Sequence, residues 1–261
     1  MKHLIAAAFL IAPTALPAGG DFDGADVIFL GELHDNPTHH AVQAEHVAEL
    51  APTALVFEML SQDQADVITP DLISDEAALE AALGWNESGW PDFSMYYPIF
   101  AAAPGARFFG AAVPREAARA SMEKGVVAVF RGDATLYGLS DPLPPDQQED
   151  REALQLAAHC DAMPAEMLPI MVDIQRLRDA ELAFSAVSAF EALGGPVVVI
   201  TGNGHAREDW GAPVYVNAAR PDLEVASLGQ GEDETGAPSG VFDDVSSAPA
   251  PERGDPCAAF R

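Results

Sequence analysis

Two short stretches hold most of the residues that could do chemistry. Gly31-Glu32-Leu33-His34 follows the apolar run Val27 to Leu30, and Gly202-Asn203-Gly204-His205 follows a second apolar run, Val197 to Ile200. A third run, Ala54 to Phe57, ends in Glu58. Each run is short, β-branched or aromatic, and bounded by turn residues, so each predicts a buried strand with polar groups at its C-terminal end. In a parallel sheet these ends share one rim, where open α/β proteins keep their sites. Glu32, His34, Glu58 and His205 are therefore expected to converge. Two imidazoles with one or two carboxylates suit a divalent ion such as Zn, Mn or Fe, with His34, Glu58 and His205 as ligands. The same groups serve equally as general acid and base without a metal.

The elements that must carry these residues are legible from their punctuation. Asn36 is a good N-cap and Pro37 suits the first helical position, which predicts a helix from Thr38 to Leu50 between the first two strands. Strand, helix, strand implies a right-handed parallel unit. Along that helix His39, His40 and His46 add imidazoles; His39 and His46 stand ~10 Å apart along the axis and cannot share one small ion. A solvated helix face is the expectation for them. Arg107 to Val113 reads as a third strand and Pro114-Arg115 as the start of a helix, which puts Arg115 near the rim. A long helix is expected over 164–193, with Arg178 close to its apolar face and in need of an anionic partner. Pro213 to Val216 and Leu223 to Leu228 read as edge strands closing the sheet.

The fold class is thus α/β: a mostly parallel sheet flanked by helices, with a smaller helical insertion or lid. Residues 19–228 form the α/β domain, and helical insertions are expected at about 61–98 and 147–193. The first insertion gathers Trp85, Trp90, Phe93, Tyr96 and Tyr97 among Gly and Pro, which suits an aromatic-lined pocket or the core of a small subdomain. The acidic remainder, 229–261, is expected to be largely irregular.

The chain has 261 residues and a net charge of -28. Such acidity repels nucleic acid and anionic membrane, and both are excluded as partners. Residues 1–18 read as a signal peptide, with an apolar core too short for the ~20 residues of a span. No cysteine follows it to carry a lipid, so the mature chain is expected in the periplasm or outside the cell. The two cysteines, Cys160 and Cys257, suit a disulfide in that compartment.

Together, Gly-Glu-Leu-His-Asp-Asn at 31–36, Phe57-Glu58-Met59, Gln-x-x-Arg-Asp at 175–179 and Gly-Asn-Gly-His-Ala-Arg at 202–207 resemble the ChaN-like haem-binding uptake family. The resemblance runs from about Val27 to Pro213 and extends to the Tiki, TraB and erythromycin-esterase-like superfamily. It implies haem bound at a homodimer interface and a role in iron uptake, to which an outer-membrane haem receptor would be a partner. Tyrosine and histidine both ligate haem iron. Tyr97 and Tyr96 are the leading candidates, ahead of His39 and His40, and Arg115 and Arg207 could hold propionates. The resemblance also implies a competing chemistry, hydrolysis of a peptide or ester at positions matching His34, Glu58, Arg178 and His205. There Glu32 would act as general base and Arg178 would stabilise an oxyanion.

Overall fold

The computed structural model describes residues 22–255 and 257–258. The signal-peptide reading of 1–18 lies outside the described residues. Six parallel strands form one sheet: β1 (Val27–Leu30), β2 (Ala54–Phe57), β3 (Arg107–Gly110), β4 (Val197–Ile200), β5 (Val225–Glu232) and β6 (Asp244–Ala248), in the order β3-β2-β4-β1-β5-β6. The helices are α1 (Pro37–Leu50), α2 (Gln62–Asp66), α3 (Pro70–Ile73), α4 (Glu76–Leu83), α5 (Phe93–Ala102), α6 (Arg115–Lys124), α7 (Pro145–Ala158), α8 (Leu168–Leu193), α9 (Asn203–Ala206) and α10 (Ala212–Ala219).

Strands β1, β2 and β4 are buried along their whole length, as strands covered by helices on both faces must be. Their side chains alternate between two cores. Val27, Phe29, Val56 and Val199 meet Leu177, Leu182, Ala183 and Ala186 of α8 and Val216 of α10. Ile28, Leu30, Leu55, Phe57 and Ile200 meet Val47 of α1, Leu79 of α4 and Tyr96, Ile99 and Phe100 of α5. The aromatic residues of 85–100 mostly serve this second core: Phe57 stacks on Phe100 with centroids 4.4 Å apart, and Trp85 packs on Tyr96 at 4.9 Å. Offset stacking of this kind adds to what their burial alone contributes.

The position of β4 is what builds the rim. It pairs with β1 on one side and with β2 on the other, Leu30 and Phe57 both aligning with Ile200. The second Gly-x-x-His is thereby set between Glu32 and Glu58.

Several expectations are corrected. Pro213 to Val216 lies inside helix α10, where Pro213 occupies the first turn and Tyr215 and Val216 face the core. The tail from 229 is not irregular throughout. Strand β5 runs on to Glu232, lies between β1 and β6 rather than at an edge, and β6 extends the sheet. The tail is tied down by charge: Arg253 donates to Asp35 and Glu232, and Asn36 donates to the Pro249 carbonyl at 3.1 Å. The third strand stops at Gly110 rather than Val113.

Cys160 and Cys257 are bonded, their Cα atoms 5.6 Å apart, and the bond closes 97 residues of chain. Cross-links over loops of this length stabilise by about 2–4 kcal/mol, largely by restricting the unfolded chain. Urea unfolding of a Cys160→Ser, Cys257→Ser double variant is expected to show a loss of that size with an otherwise unchanged fold by circular dichroism.

Candidate functional site

The first half of the site is organised around a buried carboxylate. Glu32, 1% exposed, follows β1 directly. Its Oε1 accepts from the Tyr96 hydroxyl at 2.8 Å and lies 2.7 Å from Nδ1 of His34, and its Oε2 faces Nδ1 of His40 at 3.2 Å. Burial alone would raise its carboxyl, but the bonds from His34 and His40 outweigh that and hold it at about 2. The same pairing works in reverse on His34. Burial disfavours the imidazolium, yet Glu32, Glu58 and Asp35 raise His34 to about 9. The His34 ring packs on Trp90 at 4.9 Å, and its side chain stays one-third exposed at 33%. A Cβ on Gly202 would stand 2.9 Å from His34 Nε2, so only glycine admits this approach.

Helix α1 turns its imidazoles inward to hold the Gly31–Asp35 loop. His39 accepts from the Leu33 N–H at 3.0 Å through Nδ1 and donates to the Gly231 carbonyl at 3.0 Å through Nε2. Its two nitrogens are thus satisfied by main chain as a neutral ring, and burial lowers its proton affinity. His40 donates from Nε2 to the His34 carbonyl at 2.9 Å. Gln43 donates to the Leu30 carbonyl, and Gln230 to those of Gly31 and His39. The expected solvated face is corrected: His39, His40 and His46 are all buried, the first two because they satisfy peptide groups of the loop and of β5, the third against the Phe22 ring.

The second half is a carboxylate–imidazole–carboxylate line. Glu58 accepts from the Thr201 hydroxyl at 2.7 Å and from the Gly202 N–H at 2.9 Å. Its other oxygen lies 3.7 Å from Nε2 of His205, whose Nδ1 lies 2.6 Å from Asp179 of α8. Burial opposes charge on both partners, but their mutual attraction prevails: His205 is raised and Glu58 lowered. Glu58, Trp90, Arg115 and Arg178 line a cavity of about 330 Å³, at the low end of the ~300–1,000 Å³ of ligand pockets.

The expected site residues divide accordingly. Glu32 and His34 form one pair and Glu58 and His205 another, with Arg178 and Arg115 beside Glu58. Arg178 is half-buried at this cavity; the arginine of α8 inside the protein is Arg176, which donates to the Asp141 carbonyl at 2.7 Å. A divalent ion on His34, Glu58 and His205 is the other expectation for this rim. No group of three or more His, Cys, Asp or Glu among the described residues is placed to hold one. Glu32 beside His34 and Asp179 beside His205 favour the protonated form of each imidazole.

The haem candidates are more dispersed. Tyr96 is fully buried with its hydroxyl spent on Glu32, and His39 and His40 are enclosed, so none of the three presents a free donor to a macrocycle. Tyr97 is half-buried and donates to the Ile73 carbonyl at 2.9 Å. Arg207 is engaged by Asp209 at 2.6 Å and lies 3.6 Å above the centre of the Trp210 ring. Asp179, which orients His205, was missed as a site residue. The signal for it was its place in Gln-x-x-Arg-Asp, one residue past Arg178.

Replacing Glu32 with Gln is expected to drop the His34 titration, followed by ring-proton NMR, from about 9 back toward its ordinary 6.5. The linkage has two limbs. The raised His34 contributes stability fully below 6.5 and loses it as pH climbs through about 9. The lowered Glu32 contributes fully above 4.5 and loses it as pH falls through about 2. Both limbs of a stability–pH profile should flatten in Glu32→Gln.

The solved structure of ChaN from Campylobacter jejuni with cofacial haem superposes with a TM-score of 0.53 at 17% identity, over 79% of this chain and 82% of that one. The type III effector HopBA1 aligns at a TM-score of 0.47 and 13% identity, covering 86% and 88% of the two chains. An erythromycin esterase mutant, EreC in its open conformation, aligns at 0.43 and 14% identity over 83% and 74%. No curated protein matches in sequence. The family model described as haem-binding uptake, Tiki superfamily, ChaN matches residues 20–216, and with the parallel sheet and paired rim motifs this chain belongs to that family.

Proposed function

We propose that this protein is an exported haem-binding protein of iron uptake, acting in the periplasm or outside the cell as a homodimer, with an outer-membrane haem receptor as a partner. The observation that carries the reading is the family match over residues 20–216. Haem supplies a redox-active iron that accepts a phenolate or imidazole ligand. Of the four candidate ligands Tyr97 fits best, since its half-buried hydroxyl has one main-chain partner to exchange. Arg115 and Arg178, with the protonated His34 nearby, make the Glu58 cavity a receptor for a propionate. Trp90 offers that cavity an apolar wall. Haemin added to the purified protein is expected to produce a shifted Soret band. Tyr97→Phe should weaken binding at least tenfold, and Arg115→Ala with Arg178→Ala should weaken it further; an unshifted band in the wild type overturns the reading.

A second reading rests on the two carboxylate–imidazole pairs at the rim: hydrolysis of an ester or peptide that carries an anionic group. Glu32 does not serve as the base there, because it is buried and held at about 2, with Oε1 taken by Tyr96 and His34. Its work is to keep His34 protonated, which makes His34 the acid that protonates a leaving group. Glu58 accepts the proton of the attacking water, and Arg178 faces the charge that develops. In an esterase and peptidase screen, His34→Asn is expected to lower kcat by ~10²–10⁴ with little change in KM. A wild type inactive throughout the screen counts against this second reading alone.

A further inference from the structure

A smaller cavity, of about 120 Å³, lies between α7, α8 and the segment from Gly204 to Trp210, on the far side of the site, with Asp179 and His205 in its wall. Its wall includes Arg151 of α7, which is 8% exposed. A guanidinium has five N–H donors and loses several kcal/mol of hydration when buried without partners. Arg151 makes one hydrogen bond among the described residues, to the Trp210 carbonyl at 2.8 Å. Its Nε is shut off from solvent with no acceptor. The one carboxylate beside it is Asp179, 3.8 Å away, beyond hydrogen-bond length, and Asp179 is already bonded to His205 at 2.6 Å. Arg207, at the same cavity, is matched by its own Asp209. Arg151 therefore shares its one neighbouring carboxylate with His205, through the other oxygen, and keeps N–H donors that have no protein acceptor among the described residues.

The rest of the lining says what would complete it. Gln155 and Gln175 bring amides, which can donate to an anion without repelling it, whereas Leu154, Val172 and the Trp210 ring bring apolar surface. We propose that this cavity binds a small monocarboxylate, its oxygens on Arg151 and the two glutamine amides and its short hydrocarbon chain against Val172 and Trp210. Burial depresses the proton affinity of Arg151, and the attraction of Asp179 offsets this only in part. Because Asp179 joins both groups, an occupied cavity also changes the field at His205.

Trp210 supplies the readout, since the Arg207 and Arg151 guanidinium carbons lie 3.6 and 5.0 Å from its ring centre. Titration of the full chain with acetate, propanoate and butanoate is expected to give a saturable change in tryptophan emission, with Kd of ~1 mM or tighter for the best of them. Trp210→Phe should abolish the change, and sodium chloride at matched ionic strength should give none. Arg151→Met should weaken binding ~10- to 100-fold, the loss of a charge-assisted hydrogen bond. Gln175→Leu, at a half-buried position, should weaken it several-fold. The carboxylate could be free or belong to a haem propionate. Haemin that competes with propanoate for Arg151 assigns the second source, and haemin that binds alongside it assigns the first. A wild-type response that does not saturate, or equals that of chloride, overturns the proposal, as does one unchanged by both Arg151→Met and Gln175→Leu.

Discussion

The arrangement depends first on the burial of one negative charge. Glu32 is almost wholly out of water, where an unpaired carboxylate would be intolerable, and it is kept ionised by donors from three directions. Tyr96 comes from α5, His40 from α1 and His34 from the loop itself. Each donor ties a different element to the end of β1, so the carboxylate acts as a fastening for the loop and for both helices on that face. In return the charge keeps one exposed imidazole protonated at the mouth of the site. A residue that reads in sequence as a reactive acid thus works by setting the state of its neighbour.

The rim is assembled by strand order rather than by proximity along the chain. With β4 between β1 and β2, the two Gly-x-x-His motifs and Glu58 come from three adjacent strands. Helix α8 then adds Asp179 from one face of the sheet. The line Glu58–His205–Asp179 has an acid at each end, and the two ends border different cavities. His205 is therefore placed between the two, with Glu58 on one side of its ring and Asp179 on the other.

The acidic segments have a structural use as well as a solubilising one. Asp35 and Glu232 receive Arg253, and Glu232 also accepts from Asn36, the cap of α1, at 2.9 Å. The C-terminal segment is held by these contacts and by the Cys160–Cys257 bond. Composition alone reads such a segment as unable to order itself; in the chain it is held by pairs to the body such as Arg253 with Asp35, 218 residues apart.

Much of the framework is written locally. The apolar runs at 27–30, 54–57 and 197–200, the Asn36-Pro37 start of α1 and the polar residues at strand ends determine an α/β sheet with Glu32, His34, Glu58 and His205 at one rim, because strand burial and parallel pairing act on runs of neighbouring residues. The ordered set of the two glycine-histidine motifs, Phe57-Glu58-Met59 and Gln-x-x-Arg-Asp at 175–179 likewise indicates the family. What only the tertiary structure decided is which polar group faces which. His39 and His40 satisfy peptide groups instead of facing solvent, Tyr96 bonds Glu32, and Asp179 is shared between His205 and the buried Arg151. The helix over 212–219 and the strand at 244–248 belong here too, for their form follows from what they pack against. Hydrogen bonds and ion pairs link residues far apart in the chain, and their energy is set by burial and distance, neither of which any local pattern of residue types contains.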